Sequence, residues 1–169
     1  MHRPTLGRAM GVAARSRERV EWRLAELEAA YGSFPVTQTT VTLPGERYER
    51  AREQYRDGLV DVYAEVRNDD GEILHVETDG GLALPGTATD VDDSLEGRVC
   101  RTVEQETGVE CRVEELAEVT IAGIRNADAP DVATVYRLVV VFAAAHESGV
   151  TNSQSAWEAD VHDVPPVVG

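Results

Sequence analysis

From Ser94 to Thr107 the chain carries one segment with the marks of an amphipathic helix, flanked on both sides by segments that prefer strands. Leu95, Val99 and Val103 recur at helical spacing and form one apolar stripe. Asp93 or Ser94 supplies the N-cap and Gly108 the stop. Ahead of it, residues 59–67 and 72–77 read as strands joined by the turn Asn68-Asp69-Asp70-Gly71. Leu82-Ala83-Leu84 is a short apolar run before a loop opened by Pro85-Gly86. Behind it, residues 109–125 read as a long strand with a break expected at Gly123, 132–145 as the most β-prone stretch, and 156–162 as a last short strand. A lone helix between such strands must bury its stripe on a sheet, so the pattern predicts an α/β layered core.

The N-terminal part reads as helix, strand, helix. Val20, Leu24, Leu27 and Tyr31 make one stripe of a helix stopped at Gly32, with Trp22 to the side. Residues 36–43 are rich in Thr and Val, Pro44-Gly45 turns the chain, and Tyr48, Arg52 and Tyr55 share a face of a short helix ending at Gly58. Charge marks a boundary at the same place. Ten Arg and seven Glu up to Arg56 give +3, whereas six Arg and twenty-four acids after it give −18. These patterns divide the chain into an N-terminal helical extension, residues 1–56, and a domain over residues 57–165. The Leu/Tyr stripe of the extension reads as a docking surface that caps the core or makes a homodimer. Its basic face finds its nearest acidic partner in the rest of the chain.

The net charge of −15, with Arg as the only strong base, suggests a salt-rich cytoplasm, because carboxylates hold water and ions whereas Lys stems add apolar surface. The longest apolar run, Leu138 to Ala145, is too short for a bilayer span, and no stretch after Arg3 and Arg8 fits a signal peptide. Cys100 and Cys111 lie outside any metal-binding spacing and read as reduced, buried small side chains. The four histidines are scattered, with no HExxH pattern, and neither GxSxG nor a P-loop occurs. A membrane protein, a disulfide scaffold and a nucleic-acid-coating protein are excluded.

The segment from Leu84-Pro85-Gly86-Thr87 to Gly108-Val109 resembles the box of the Nudix hydrolases. That pattern is a glycine, a spaced glutamate and the core R-E-U-x-E-E-x-G-U, with U aliphatic. Aligned without a gap from Thr87 to Val109, Arg101, Val103, Glu106, Gly108 and Val109 match. Asp93 stands for the spaced glutamate, and Thr87 replaces the first glycine, with Gly86 beside it. Thr102 and Gln105 replace two glutamates of the core. The order of segments from Leu59 to His162 is also similar to that family's fold. The resemblance implies a Nudix-type α/β/α sandwich with a mixed sheet, behind the N-terminal helical extension.

It also implies a chemistry: hydrolysis of a diphosphate linkage in a nucleoside diphosphate derivative, with Mg²⁺ or Mn²⁺. In such a box, positions 102, 105 and 106 project together from the helix and carry carboxylates that hold the cation. Here Glu106 is the metal-binding helix carboxylate and Gly86 the backbone ligand, while Arg101 and Asp93 order the loop and helix around them. Each lost carboxylate costs about tenfold or more in metal affinity. Arg98, one turn before Thr102, would repel a cation, pair with Glu106 or take a phosphate. Asp90, Asp92, Asp93, Glu114, Glu115 and Glu118 are the nearby acids that could compensate. The thinned acidic face carries an alternative: a catalytically impaired module that binds a nucleotide-like ligand or a protein partner. The expected partner is a small nucleotide-like molecule, with no membrane and no nucleic acid.

Overall fold

Val and Ile crowd the segments that become the central strands, where branched side chains pack on a pleated surface. The computed structural model describes residues 4–55, 60–90 and 94–159, and of residues 4–14 the backbone alone. In chain order the elements are α1 (Pro4–Tyr31), β1 (Val36–Leu43), α2 (Gly45–Tyr55), β2 (Val60–Arg67), β3 (Ile73–Thr78), β4 (Gly81–Ala83) and β5 (Gly86–Thr89). Then come α3 (Leu95–Thr107), β6 (Glu110–Asn126), β7 (Val135–Ser148) and β8 (Ser155–Glu158). The sheet runs β1-β6-β7-β2-β3-β4, with β5 added to β2 and β8 to β3. It is mixed: β1 lies parallel to β6, and β2 parallel to β7, whereas β6 and β7 are antiparallel.

Strand alternation divides the molecule into three layers. Val60, Val62, Ala64 and Val66 face the same side as Leu138, Val140, Phe142 and Ala144, where α1 and α3 bury Val20, Leu27, Leu95, Val99 and Val103. On the other side α2 buries Tyr48, Ala51 and Tyr55 against Leu43, Ile124 and Val135. The architecture is therefore an α/β/α sandwich.

The N-terminal stripe caps the core of its own chain. Val20 and Leu27 are buried, with Leu24 and Tyr31 packed against the same cluster, and the Tyr31 ring lies 5.7 Å from that of Phe142. The stripe is thus spent inside the molecule and presents no dimer surface. The charge boundary near Gly58 falls outside the described residues, and to either side of it the chain contributes to one sheet.

Two expectations are corrected. The segment after Pro85 is not loop: Gly86–Thr89 pairs antiparallel with β2. The long strand does not break at Gly123, which stays paired with Tyr136; its irregularities lie earlier, between Glu110 and Glu118. Trp157, in β8 opposite Leu74, packs against the core with its ring 5.2 Å from His146. Cys100 and Cys111 are both free thiols, with sulfurs 3.8 Å apart. Burial first, then neighbouring Cys100, pushes the Cys111 thiol up to about 12.

Candidate functional site

The site is built where β5 meets the last turn of α3. Helix α3 starts at Ser94, whose Oγ accepts from the Gly97 N–H at 3.3 Å. It stops at Gly108, whose left-handed backbone (φ 82°) donates back to the Glu104 carbonyl. That end is also fixed from outside. The Asn152 side-chain amide donates to the Glu106 carbonyl at 2.8 Å, and the Asn152 N–H donates to the Thr107 carbonyl at 2.9 Å. The Thr107 hydroxyl donates to Val103 O at 2.6 Å and accepts from the Val109 N–H at 3.1 Å. The polar loop before β8 thus ties off carbonyls that a helix end leaves without intrahelical partners.

Gly86 sits opposite Tyr63 in the β2–β5 pair. A Cβ there would lie 2.2 Å from Tyr63 Cδ1 and 2.4 Å from the Val62 carbonyl oxygen, so no larger residue fits. The Ala64 N–H donates to Pro85 O at 3.0 Å, which makes Tyr63–Gly86 the pair without mutual hydrogen bonds. Gly86's own N–H and C=O therefore point away from β2. Its N–H donates to the Glu106 carboxylate. Desolvation raises the Glu106 pKa above the ordinary glutamate value, and the Gly86 bond partly offsets it. Glu106 makes no ion pair among the described residues, so Arg98, half-buried two turns away, is not its partner.

The structure brings together Glu106 and Gly86. Gln105 is exposed beside Glu106, and Thr102 is buried at the margin of that face. Arg101 is exposed, about 140° around the helix from Glu106. Asp93 and Asp92 lie outside the described residues. Among the described residues no group of three or more Asp, Glu, His or Cys gathers as a metal cluster. Glu114 pairs instead with Arg112. The donors that remain, one carboxylate and one outward backbone carbonyl, are hard oxygens. They fit a small divalent cation that takes its remaining positions from water and substrate phosphates, and do not fit a cation held by protein alone.

Sequence reasoning missed a buried polar cluster behind the site. Arg137 Nε donates to Asp61 Oδ2 at 2.6 Å, with both side chains buried. The Arg137 guanidinium lies 5.2 Å from the Tyr55 ring centre, and Tyr55 donates to Asp61. Arg137 also bonds Tyr63, whose ring covers Gly86. Burial raises the Asp61 pKa, and the charge of Arg137 only partly reverses it. The available signal was one charge of each sign inside two strongly β-prone runs. A cleft of about 500 Å³, lined by Tyr31, Ser94, Leu95, Glu96 and Phe142, opens at the other end of α3, away from Glu106.

No protein-family model matches the chain, and no curated protein sequence matches it. Solved structures match its fold. The mutator MutT protein from Bacillus halodurans is 18% identical and superposes with a TM-score of 0.50 over 59% of this chain and 67% of its own. An ADP-ribose pyrophosphatase from Streptococcus suis is 22% identical over 63% of this chain and 79% of its own, with a TM-score of 0.46. A UDP-X diphosphatase is 22% identical over 63% of this chain and 54% of its own, with a TM-score of 0.47. At these identities the likeness is one of fold.

Proposed function

We propose that this chain, whose fold is the Nudix-type α/β/α sandwich, is a hydrolase that cleaves the diphosphate linkage of a nucleoside diphosphate derivative, using Mg²⁺ or Mn²⁺ that arrives with the substrate. One observation carries the reading: the Glu106 carboxylate is held on the Gly86 N–H, beside a Gly86 carbonyl that faces the same way. The agreement of Arg101, Val103, Glu106, Gly108 and Val109 with the Nudix core supports it. When bound, the cation would neutralise the diphosphate and lower the pKa of attacking water.

The chain's own residues do the positioning. Glu106 supplies the negative charge. Gly86 brings a carbonyl close because it has no Cβ, and Tyr63 holds that backbone from behind. The capped end of α3 fixes Glu106 on a rigid element. Gln105 offers a neutral amide oxygen, and Arg101 and Asp93 are assigned to ordering the loop and helix.

The test is formation of the nucleoside monophosphate from a panel of nucleoside diphosphate derivatives over a Mg²⁺ titration, beside Glu106→Gln. The expected result is metal-dependent cleavage that saturates only at high Mg²⁺ and falls at least about tenfold in the variant. A ligand that raises the melting temperature while no nucleoside monophosphate is formed would overturn the hydrolase reading in favour of a binding module.

A further inference from the structure

The outer edge of the sheet points to a second copy of the chain as its partner. Strand β1 ends the sheet, with β6 on one side. Residues 36–40 are all exposed, and a groove of about 690 Å³ lined by Gln38, Thr39, Thr40, Arg125 and Tyr136 runs beside them. Among the described residues, this edge lacks three of the devices that keep sheets apart. It has no charge, no proline within the strand and no bulge against β6. The run from Glu28 to Glu46 is the longest in the chain without a charged residue, in a molecule of net charge −15. Two such molecules repel elsewhere, and here they do not.

The ladder fixes how two copies would meet. The Val119 N–H donates to Pro35 O and the Ala127 N–H to Leu43 O, so odd-numbered residues spend their backbone groups on β6. Val36, Gln38, Thr40 and Thr42 therefore point their N–H and C=O groups off the sheet. This set is symmetric about Thr39. We propose that β1 pairs antiparallel with β1 of a second copy across a two-fold axis at Thr39, joining two sheets into one. Gln38 then exchanges hydrogen bonds with Thr40 of the other copy, and Val36 with Thr42. The contact is isologous, as closed dimers require. It leaves the Glu106 site free, because β6 and β7 separate β1 from β2 and β5. The proposal does not rest on the hydrolase reading.

Sedimentation across a concentration series tests it in the wild-type chain. A reversible dimer that tightens with added salt is expected, since salt screens like charge. Thr40→Pro removes an outward N–H that β6 does not use and should weaken the dimer at least about tenfold, with the far-UV spectrum kept. If that variant fails to fold, Gln38→Lys combined with Thr40→Lys sets like charges opposite each other and should do the same. In Thr39→Cys, the axis brings the two sulfurs within linking range, so mild oxidation should give a 39–39 disulfide identified by peptide mapping. A wild-type chain that stays monomeric at every concentration overturns the proposal. So does a dimer that persists in both edge variants, or one that gives no 39–39 link.

Discussion

Gly86 and Glu106 show how much a single position decides. Replacing Gly86 by alanine drives a methyl into Tyr63 and the Val62 carbonyl. Overpacking of this kind costs roughly 1–3 kcal/mol, so Gly86→Ala should melt earlier in a denaturant series. Tyr63→Ala carries its own cost, since it loses packing and the Arg137 bond, but in a double-mutant cycle the two costs should be less than additive, because the ring contact is relieved and the carbonyl contact is not. At Glu106 the sign of the pKa shift sets a pH prediction. The folded chain holds this proton more tightly than the unfolded chain, mainly because the carboxyl is desolvated. The charge therefore costs stability above the raised value. That cost disappears as pH falls from the raised value to the unfolded one, about 4.3. A pH profile of nucleoside monophosphate formation should lose activity on the acid side above the ordinary glutamate range. Glu106→Gln keeps the acceptor for Gly86 and should leave neutral-pH stability unchanged or slightly raised, as a thermal melt would report.

At the scale of elements, the buried pair between β2 and β7 is where removing one partner costs most. Asp61 is paired with Val139, and Arg137 lies two residues along on the same face. Arg137→Met strands a carboxylate that is already held above its usual pKa by burial. Breaking such a pair costs about 3–5 kcal/mol, whereas replacing both members with apolar residues is often nearly neutral. A double-mutant cycle with Asp61→Leu should therefore recover most of the loss, and additive costs would contradict that account. The elements themselves were largely legible from local chemistry. Leu95, Val99 and Val103 mark the buried face of α3, and Gly32 and Gly108 end their helices with positive φ. The strand character of Gly86–Thr89 was not, because Pro85-Gly86 reads as a turn until residues 86–89 are seen to pair with β2.

For the molecule as a whole, charge is the dominant long-range term. A net charge of −15 makes the folded chain repel itself, and raising salt from about 0.1 M to about 1 M shortens the screening length from ~10 Å to ~3 Å. The melting temperature should rise over that range, and a flat or falling trend would show that attraction between the basic N-terminal part and the acidic remainder outweighs repulsion. Among the described residues no helix is long and apolar enough to cross a membrane.

The sequence by itself determined the periods, stops and caps, and with them α3 and most of the strands, because these depend on residues within a turn or two of one another. Through its resemblance to the Nudix box it also singled out Glu106 and Gly86 as two expected ligands of a cation. Only the tertiary structure decided that the Gly86 N–H meets the Glu106 carboxylate, that the N-terminal stripe is buried in its own core, and that Arg137 finds Asp61. Each of these joins residues from different elements, and strand order and register, not local propensity, set which of them come within hydrogen-bonding or packing distance.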